Sequence, residues 1–182
     1  MSAIQALRHG ETCAAGRYCG RTDVALSARG WQQMRAAVAG RSWERIVSSP
    51  ATRCLAFARE LALAAGRECE IDADLRELDF GRFEGRSAAE ILASEPAELA
   101  AFWRDPLAHP PPEGEPVPAL VARVLRAWER IRAAPARSTL IVTHGGPLRV
   151  LCALRDGRPT DQLLQIEVPH AVLIELPAQA PQ

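Results

Sequence analysis

The sequence predicts an α/β fold of three layers, α/β/α, around a mostly parallel central sheet. Short apolar runs at 4–7 and 45–48 are each followed by a segment with helical periodicity, and the longer apolar run at 138–143 is followed by another. Such alternation of strands and helices is typical of parallel sheets. The 182 residues are enough for one such domain over 1–182 and too few for two ordinary enzyme domains.

The first half of the chain contains two strand-to-helix units. After the strand at 4–7, Ser27 is predicted to cap a helix that ends near residue 39. After the strand at 45–48, Ser49 is predicted as the N-cap of the next helix and Pro50 as its first residue. The predicted buried stripe of this second helix consists of Leu55, Ala58, Leu61, Ala62 and Ala65.

The segment from 70 to 118 predicts a short strand at 70–72, a loop and two helices. Ser87 and Glu90 form a capping-box pattern that opens a short helix, and another helix is predicted over 97–104. The following stretch, 106–118, contains six prolines and is predicted to be a loop inside the domain.

The last third of the chain predicts a long amphipathic helix, a strand, a helix and a final strand. The helix covers 117–134, with Pro135 as its stop and Arg123, Arg126 and Arg130 on its solvated face. The strand at 138–143 leads into a helix over 148–154. The final strand, 171–176, is predicted to pair with 165–168.

Composition excludes several kinds of chemistry. All 22 basic residues are arginines, so the chain contains no lysine for a Schiff base or a lysine-containing phosphate loop. The charges cancel, which disfavours nucleic acid or an anionic membrane as a partner. Five scattered cysteines without a C-x-x-C pair indicate neither a disulfide framework nor a zinc site. We therefore expect a soluble cytoplasmic protein without secretory signal or membrane span.

Three segments place polar groups directly after predicted strands. They are Arg8-His9-Gly10, Ser48 to Arg53, and Thr143-His144-Gly145-Gly146. Ligands of open α/β sheets bind at the carboxyl ends of the strands, so these segments are expected to converge. Guanidinium forks, imidazoles and free N–H groups at helix N-termini suit a phosphate group.

This set also suits phosphoryl transfer. A neutral imidazole beside a bound phosphoryl group can attack phosphorus, and the leaving alcohol then needs a proton from a carboxylic acid. Glu77, in a loop after a strand, is the best candidate for the acid, and Glu84, Asp79 and Glu11 are weaker ones.

Each fragment taken alone also has an ordinary structural interpretation. A histidine beside a glycine is often a turn residue, and Arg53 on a helix is often salt-bridged or solvated. His109 and His170 stand next to prolines and are predicted to be structural or exposed. A phosphate-binding module without turnover is the alternative of another class, although such a module needs neither nucleophile nor acid.

The combined motifs resemble the histidine phosphatase superfamily, whose fold is called phosphoglycerate mutase-like. The resemblance runs through nearly the whole chain: Leu7-Arg8-His9-Gly10-Glu11-Thr12, Gly20-Arg21-Thr22-Asp23, Val47-Ser48-Ser49-Pro50 with Arg53, Leu75 to Gly85, Gly114-Glu115, and Val142 to Gly146. It implies that His9 is the phosphorylated nucleophile and Glu77 the proton donor. It also implies that Arg8, Arg53 and His144 hold the phosphoryl group, together with the backbone at Gly145, and that neither metal nor other cofactor takes part.

The sequence departs from the family at two places. Cys13-Ala14-Ala15-Gly16 stands where many relatives have a phosphate-binding Asn, and Pro116 follows Gly114-Glu115 where the family has Ser, so no site role is predicted for that turn. The short chain resembles phosphatases more than cofactor-dependent mutases.

Four segments resemble the α-ribazole-5′-phosphate phosphatases of cobalamin assembly: 31–34, 43–47, 80–85 and 103–106. The expected partner is therefore a small-molecule phosphomonoester. A broad-specificity sugar or metabolite phosphatase and a phosphoglycerate mutase are alternatives, and a homodimer is compatible with the sequence.

Overall fold

A sheet of five strands forms the centre of the computed structural model, which describes residues 3–134 and 136–177. In these residues the strands are β1 Ala3–Arg8, β2 Arg45–Ser48, β3 Cys69–Ile71, β4 Ser138–Thr143 and β5 Leu173–Leu176. Their order in the sheet is β3-β2-β4-β1-β5. The strands β1 to β4 run parallel to one another, and only the edge strand β5 is antiparallel to its neighbour β1.

Helices cover both faces of the sheet because neighbouring residues of each strand point to opposite sides. The helices are α1 Ala28–Val38, α2 Thr52–Ala64, α3 Ala88–Ser94, α4 Pro96–Arg104, α5 Val117–Ala133 and α6 Gly145–Asp156. On β4, Leu140 and Val142 pack in one cluster with α1 and α2, whereas Ile141 packs in the other with helices α3 to α6. This arrangement confirms the predicted three-layer fold.

The strongest local signals were predicted correctly. The strands at 45–48 and 138–143 have the predicted bounds. The hydroxyl of Ser27 accepts a hydrogen bond from the N–H of Gly30, and Ser87 and Glu90 form the capping box. The third strand begins one residue earlier than predicted. Among the described residues, no helix is both long and apolar enough to cross a membrane.

The final strand pairs differently from the prediction. Leu173–Leu176 lies antiparallel to β1, whereas 165–168 is not a strand, and a 3₁₀-helix covers Thr160–Gln165. Pairing with β1 satisfies the outer edge of the buried first strand, which a local hairpin would leave unpaired.

The starts of two helices also differ from the prediction. α2 begins at Thr52 with Ala51 in the N-cap position, so neither Ser49 nor Pro50 belongs to it. The hydroxyl of Ser49 accepts hydrogen bonds from Nε2 of His144 and from the N–H of Ala51. α6 begins at Gly145, directly after β4, rather than at Leu148. The observed buried stripe of α2 consists of Arg53, Cys54, Phe57, Ala58 and Ala62, while Leu55 and Leu61 are only half-buried and Ala65 is exposed.

The long helix α5 begins at Val117, as predicted, and therefore includes Pro118. Proline is tolerated there because the first helical N–H groups have no partner within the helix. The helix ends at Ala133, and Pro135, its predicted stop, lies outside the described residues.

Candidate active site

The three predicted segments meet at the carboxyl edge of the sheet. In the parallel register, Arg8 of β1 lies opposite Thr143 of β4, and Ser48 of β2 lies opposite Val142. The residues that follow these strands are therefore neighbours, and the ring centroids of His9 and His144 are 5.2 Å apart. The prediction that these segments converge is confirmed.

His9 is buried and carries its proton on Nδ1. Its Nδ1 lies 2.8 Å from the carbonyl oxygen of Gly10, which can only accept, so Nδ1 donates and Nε2 retains its lone pair. Nε2 makes no hydrogen bond within the described residues. Burial, followed by the nearby charges of Arg53 and Arg8, lowers the pKa of His9 to about 3. The ring is therefore neutral at physiological pH.

His144 is fully buried and is held as the other tautomer. Its Nδ1 accepts a hydrogen bond from Nε of Arg53 at 3.1 Å, so its proton is on Nε2, which donates to Oγ of Ser49 at 2.7 Å. Burial and the charge of Arg53 hold the pKa of His144 well below its usual range. The ring of His144 does not line the cavity that His9 lines. Its predicted contact with a phosphoryl group stays a prediction.

Arg53 is only 1% exposed, so it is not solvated, and no carboxylate of the described residues forms a salt bridge with it. Its Nη2 donates to the carbonyl oxygen of Cys19 at 2.7 Å and its Nη1 to that of Thr22 at 3.2 Å. A buried charge without such partners would be strongly destabilising. The carbonyl groups thus hold the guanidinium beside both histidines without neutralising its charge.

Arg8 carries an unsatisfied donor. Among the described residues, its Nε is the only buried side-chain nitrogen or oxygen without a hydrogen-bond partner, while its Nη1 donates to the carbonyl oxygen of Val168. Unpaired buried donors are rare in folded proteins. An anion bound in front of Arg8 would satisfy this group. Burial lowers the pKa of Arg8, so the charged form is held under a desolvation cost that an anion would offset.

Arg149 is a site residue that the sequence analysis missed. It lines the same pocket as Arg8, its Nε donates to the carbonyl oxygen of Ile166 at 3.0 Å, and burial lowers its pKa. Its position four residues after Gly145 places it on the same face of α6, one turn along. A helix predicted to start at Gly145 would have revealed it.

Glu77 lies at the N-terminus of α6. Its Oε1 accepts hydrogen bonds from the N–H groups of Leu78 and Gly146, both at 2.9 Å. A Cβ atom at Gly146 would lie 2.3 Å from this oxygen, so glycine is required there for the carboxylate to approach. Glu77 also lines the pocket of His9 and Arg8, which is where the sequence analysis expected an acid.

The three weaker candidates for the acid, Glu84, Asp79 and Glu11, form hydrogen bonds or an ion pair within the fold. Glu84 accepts hydrogen bonds from the backbone N–H groups of four residues and from the hydroxyl of Thr22. Asp79 pairs with Arg21 at 2.7 Å, and Glu11 accepts from the hydroxyl of Ser27 at 3.0 Å. None of the three lines the pocket of His9.

We call this cavity the catalytic pocket. It is strongly electropositive: four arginines and a single carboxylate lie among its described lining residues. Gly145 also lines it as the first residue of α6, where a backbone N–H has no partner within the helix. Among the residues described, no cluster of His, Cys, Asp or Glu could hold a metal ion. The lining consists of Arg8, His9, Thr12, Ala14, Ala15, Gly16, Arg17, Tyr18, Cys19, Arg53, Glu77, Phe80, Gly145, Arg149 and His170.

The pocket wall also contains His170 and the segment that ends at Gly16. His170 is exposed, as predicted, but it also lines this pocket, with its ring centroid 5.6 Å from that of His9. His109 is exposed, as predicted, and does not line this pocket. The segment that replaces the family's Asn also lies on the wall, where Gly16 adopts a φ of +78°.

Comparison with known proteins agrees with this geometry. Residues 4–180 match the model of the histidine phosphatase superfamily (branch 1). The chain belongs to this family. The predicted family and fold are thereby confirmed.

The proteins similar to this chain include phosphatases and phosphoglycerate mutases. The glucosyl-3-phosphoglycerate phosphatase of Mycolicibacterium vanbaalenii is 33% identical over 168 residues, covering 85% of this chain and 74% of that protein. The solved α-ribazole phosphatase of Shigella flexneri superposes with a TM-score of 0.84 at 26% identity, covering 95% of this chain and 89% of that one. The predicted enzyme class, phosphoric monoester hydrolase, agrees with the names of both.

A bifunctional protein of Mycobacterium tuberculosis is 36% identical over 156 residues. The match covers 81% of this chain but only 42% of that protein. The chain thus spans less than half the length of this relative.

Glu115 forms an ion pair with Arg123 that the sequence did not predict. Its two carboxylate oxygens accept from Nε and Nη2 of Arg123 at 2.7 and 2.8 Å. The same guanidinium donates to the carbonyl oxygens of Asp74, Arg76 and Glu77. Arg123 was predicted to lie on the solvated face of α5. Its guanidinium instead holds the loop that carries Glu77, so the prediction was wrong for this residue.

We expect Arg123→Gln to slow turnover by loosening this loop. The predicted loss in kcat/KM is roughly tenfold to a hundredfold for an alkyl phosphate, because a displacement of about 1 Å of a catalytic group costs on the order of a hundredfold. For p-nitrophenyl phosphate, whose leaving group needs no proton, the loss should be smaller. The matched control is Arg126→Gln, because Arg126 lies three residues further along α5 and its side chain is 60% exposed. Equal losses on both substrates would show that Arg123 is only a stabilising residue.

A second prediction concerns the pH dependence of the free energy of unfolding, which follows from the neutral histidines. Because the pKa of His9 falls from 6.5 to about 3 on folding, the unfolded chain binds a proton below pH 6.5 that the native protein does not. The free energy of unfolding should therefore decrease as the pH falls from 6.5 towards 3, by about 1.4 kcal/mol per pH unit for each such histidine. Urea unfolding between pH 4 and 7 measures this slope. In His9→Asn this slope should be smaller by about 1.4 kcal/mol per pH unit, the contribution of one proton. An unchanged slope would contradict the lowered pKa of His9.

Proposed function

We propose that this chain is a metal-independent phosphomonoesterase that acts through a phosphohistidine intermediate. The observation that carries the proposal is the neutral His9, with its Nε2 free, in a pocket where Arg8 has an unpaired donor. A module that only binds phosphate would need neither the free ring nitrogen nor the carboxylate of Glu77 in the same pocket.

In the first step, Nε2 of His9 attacks the phosphorus of the ester and the P–O bond to the alcohol breaks. The electron pair of that bond goes to the alcohol oxygen, which takes a proton from the carboxylic acid of Glu77. Arg8, Arg53 and the N–H of Gly145 stabilise the negative charge of the transferring group. Such preorganised donors contribute several kcal/mol to the stabilisation of the transition state.

In the second step, water attacks phosphorus and the P–N bond breaks, which returns the electron pair to Nε2 of His9. The carboxylate of Glu77 accepts the proton of this water and is ready for another cycle. Inorganic phosphate leaves. Because the proton of His9 stays on Nδ1, where it is hydrogen-bonded to the Gly10 carbonyl oxygen, the ring keeps one tautomer during both steps.

For the substrate, we propose α-ribazole 5′-phosphate, an intermediate of cobalamin nucleotide-loop assembly, in the cytoplasm. Support comes from the four sequence segments named above and from the likeness to the Shigella flexneri enzyme. The five free cysteines suit a reducing compartment. A phosphorylated sugar acid is the second candidate, since the Mycolicibacterium vanbaalenii relative is named for one.

Steady-state kinetics on a matched panel tests the substrate. The panel contains α-ribazole 5′-phosphate, glucosyl-3-phosphoglycerate and 3-phosphoglycerate with a bisphosphate primer, each assayed with and without EDTA. We expect the highest kcat/KM for α-ribazole 5′-phosphate and no effect of EDTA. A higher value for glucosyl-3-phosphoglycerate would favour the second candidate, and isomerisation of 3-phosphoglycerate would indicate a mutase.

A further inference from the structure

A second, apolar cavity opens beside the catalytic pocket. It has a volume of about 250 Å³ and shares four wall residues with that pocket: Tyr18, Glu77, Phe80 and Arg149. We call it the aromatic pocket, and its other walls include Phe102, Trp103, Leu120 and Leu164. A ligand held by its phosphoryl group at His9 would therefore extend into this cavity past the proposed proton donor.

The aromatic walls are held in place by their own contacts. The rings of Tyr18 and Phe80 meet edge to face with centroids 5.0 Å apart, and Phe80 meets Phe102 in the same way at 6.5 Å. Nε1 of Trp103 donates to the hydroxyl of Tyr18 at 2.9 Å, which fixes the indole at the rim. Such edge-to-face pairs are favourable, so the cavity is formed before a ligand enters.

Two large apolar side chains of this pocket are left partly in solvent. Trp103 is 46% and Leu164 is 41% exposed, although most large apolar side chains of the described residues are buried. Apolar surface that adjoins a polar reaction site is typical of a ligand-binding surface. A ligand ring in the cavity would cover both side chains.

The groove on the other side of Glu77 does not suit an apolar group. It is larger, about 880 Å³, but shares only Glu77 with the catalytic pocket, and its described lining contains no aromatic residue. Its charged lining comprises five carboxylates, Asp23, Glu77, Asp79, Glu113 and Glu115, and three arginines, Arg21, Arg76 and Arg123. This surplus of negative charge also disfavours a second anionic group of a substrate.

From these contacts we infer that the aromatic pocket binds a planar aromatic ring in the alcohol part of the phosphate ester. The inference rests on the proposed function and narrows its substrates to monoesters that carry such a ring. A volume of about 250 Å³ is below the roughly 300–1,000 Å³ of pockets for whole ligands, so it accommodates one ring system rather than an entire substrate. Arg149, on the border of both cavities, can stack on the ring.

Binding of two non-hydrolysable phosphonates tests the inference independently of turnover. In 2-phenylethylphosphonate a methylene group replaces the bridging oxygen of benzyl phosphate, and 3-hydroxypropylphosphonate is its polar counterpart without a ring. Titration calorimetry on the full chain should give a Kd about 10- to 100-fold lower for the phenyl compound, as expected for burial of one aromatic ring.

Two variants of the pocket rim and one matched control complete the test. Trp103→Ala and Leu164→Glu should each reduce the ratio of the two affinities by about tenfold. Leu63→Glu is the control for Leu164→Glu, because Leu63 is 80% exposed on α2 and lines none of the cavities described. It should leave the ratio as in the unchanged protein.

The outcomes separate this inference from the proposed function. Equal affinities for both phosphonates, or a ratio that neither rim variant changes, would overturn the aromatic pocket even if the protein hydrolyses phosphate esters. Selective binding of the phenyl compound without hydrolysis of benzyl phosphate would support the pocket and overturn the proposed hydrolysis.

Discussion

The variant His9→Ala is expected to lose activity by at least about 10⁴-fold in kcat, whichever phosphate ester is used. The reason is that His9 is the proposed site of the covalent intermediate, and His144 cannot replace it because both of its ring nitrogens are bonded to protein groups. Losses of this size are typical when a catalytic nucleophile is removed. Steady-state hydrolysis of p-nitrophenyl phosphate measures the loss.

Trapping the intermediate distinguishes loss of the nucleophile from loss of the fold. Rapid quenching of the unchanged protein with a labelled ester should give a phosphoenzyme that is stable in base and labile in acid, as phosphohistidine is. His9→Ala should give none, while its circular dichroism spectrum remains that of the unchanged protein. Normal turnover by folded His9→Ala would overturn the mechanism.

Replacing Glu77 with glutamine has the second largest expected effect, and it depends on the leaving group. The amide preserves the shape of the carboxyl group but cannot supply a proton to the alcohol. We expect kcat/KM for glycerol 2-phosphate to fall by roughly 10²- to 10⁴-fold, the usual contribution of a general acid. The loss for p-nitrophenyl phosphate should be much smaller because p-nitrophenolate leaves without a proton.

Asp79→Asn provides the matched comparison for Glu77→Gln. Asp79 was a weaker candidate for the acid, and its carboxylate pairs with Arg21 outside the catalytic pocket. Its replacement should affect both esters to the same small extent. Equal losses on the two esters in Glu77→Gln, or a leaving-group dependence in Asp79→Asn instead, would show that Glu77 is not the proton donor.

The sequence was sufficient to place the groups that act directly after strands. His9, His144 and Gly145 follow β1 and β4 without an intervening loop, so a correct strand assignment and the parallel topology determine that they meet. The helix starts were less predictable. Ser49 has the residue type and position of an N-cap, yet its hydroxyl is used by His144, a partner 95 residues away that no local pattern can indicate.

Residues that act through long-range contacts escaped the sequence analysis for the same reason. Arg123 looks like one of several arginines on the polar face of a helix, and only the fold brings it to Glu115 and to the carbonyl oxygens of the Glu77 loop. His170 has no motif around it and reaches His9 because β5 returns along β1.

The sequence by itself determined the fold class, the family and the residue types available for phosphate chemistry, because these depend on strand and helix periodicity and on motifs of adjacent residues. The tertiary structure decided the protonation state of the histidines and the unpaired donor of Arg8. It also decided the contacts by which Arg123 holds the Glu77 loop and the walls of the aromatic pocket. Each of these depends on burial and on partners distant in the chain, and burial is a property of the packed molecule rather than of any segment of it.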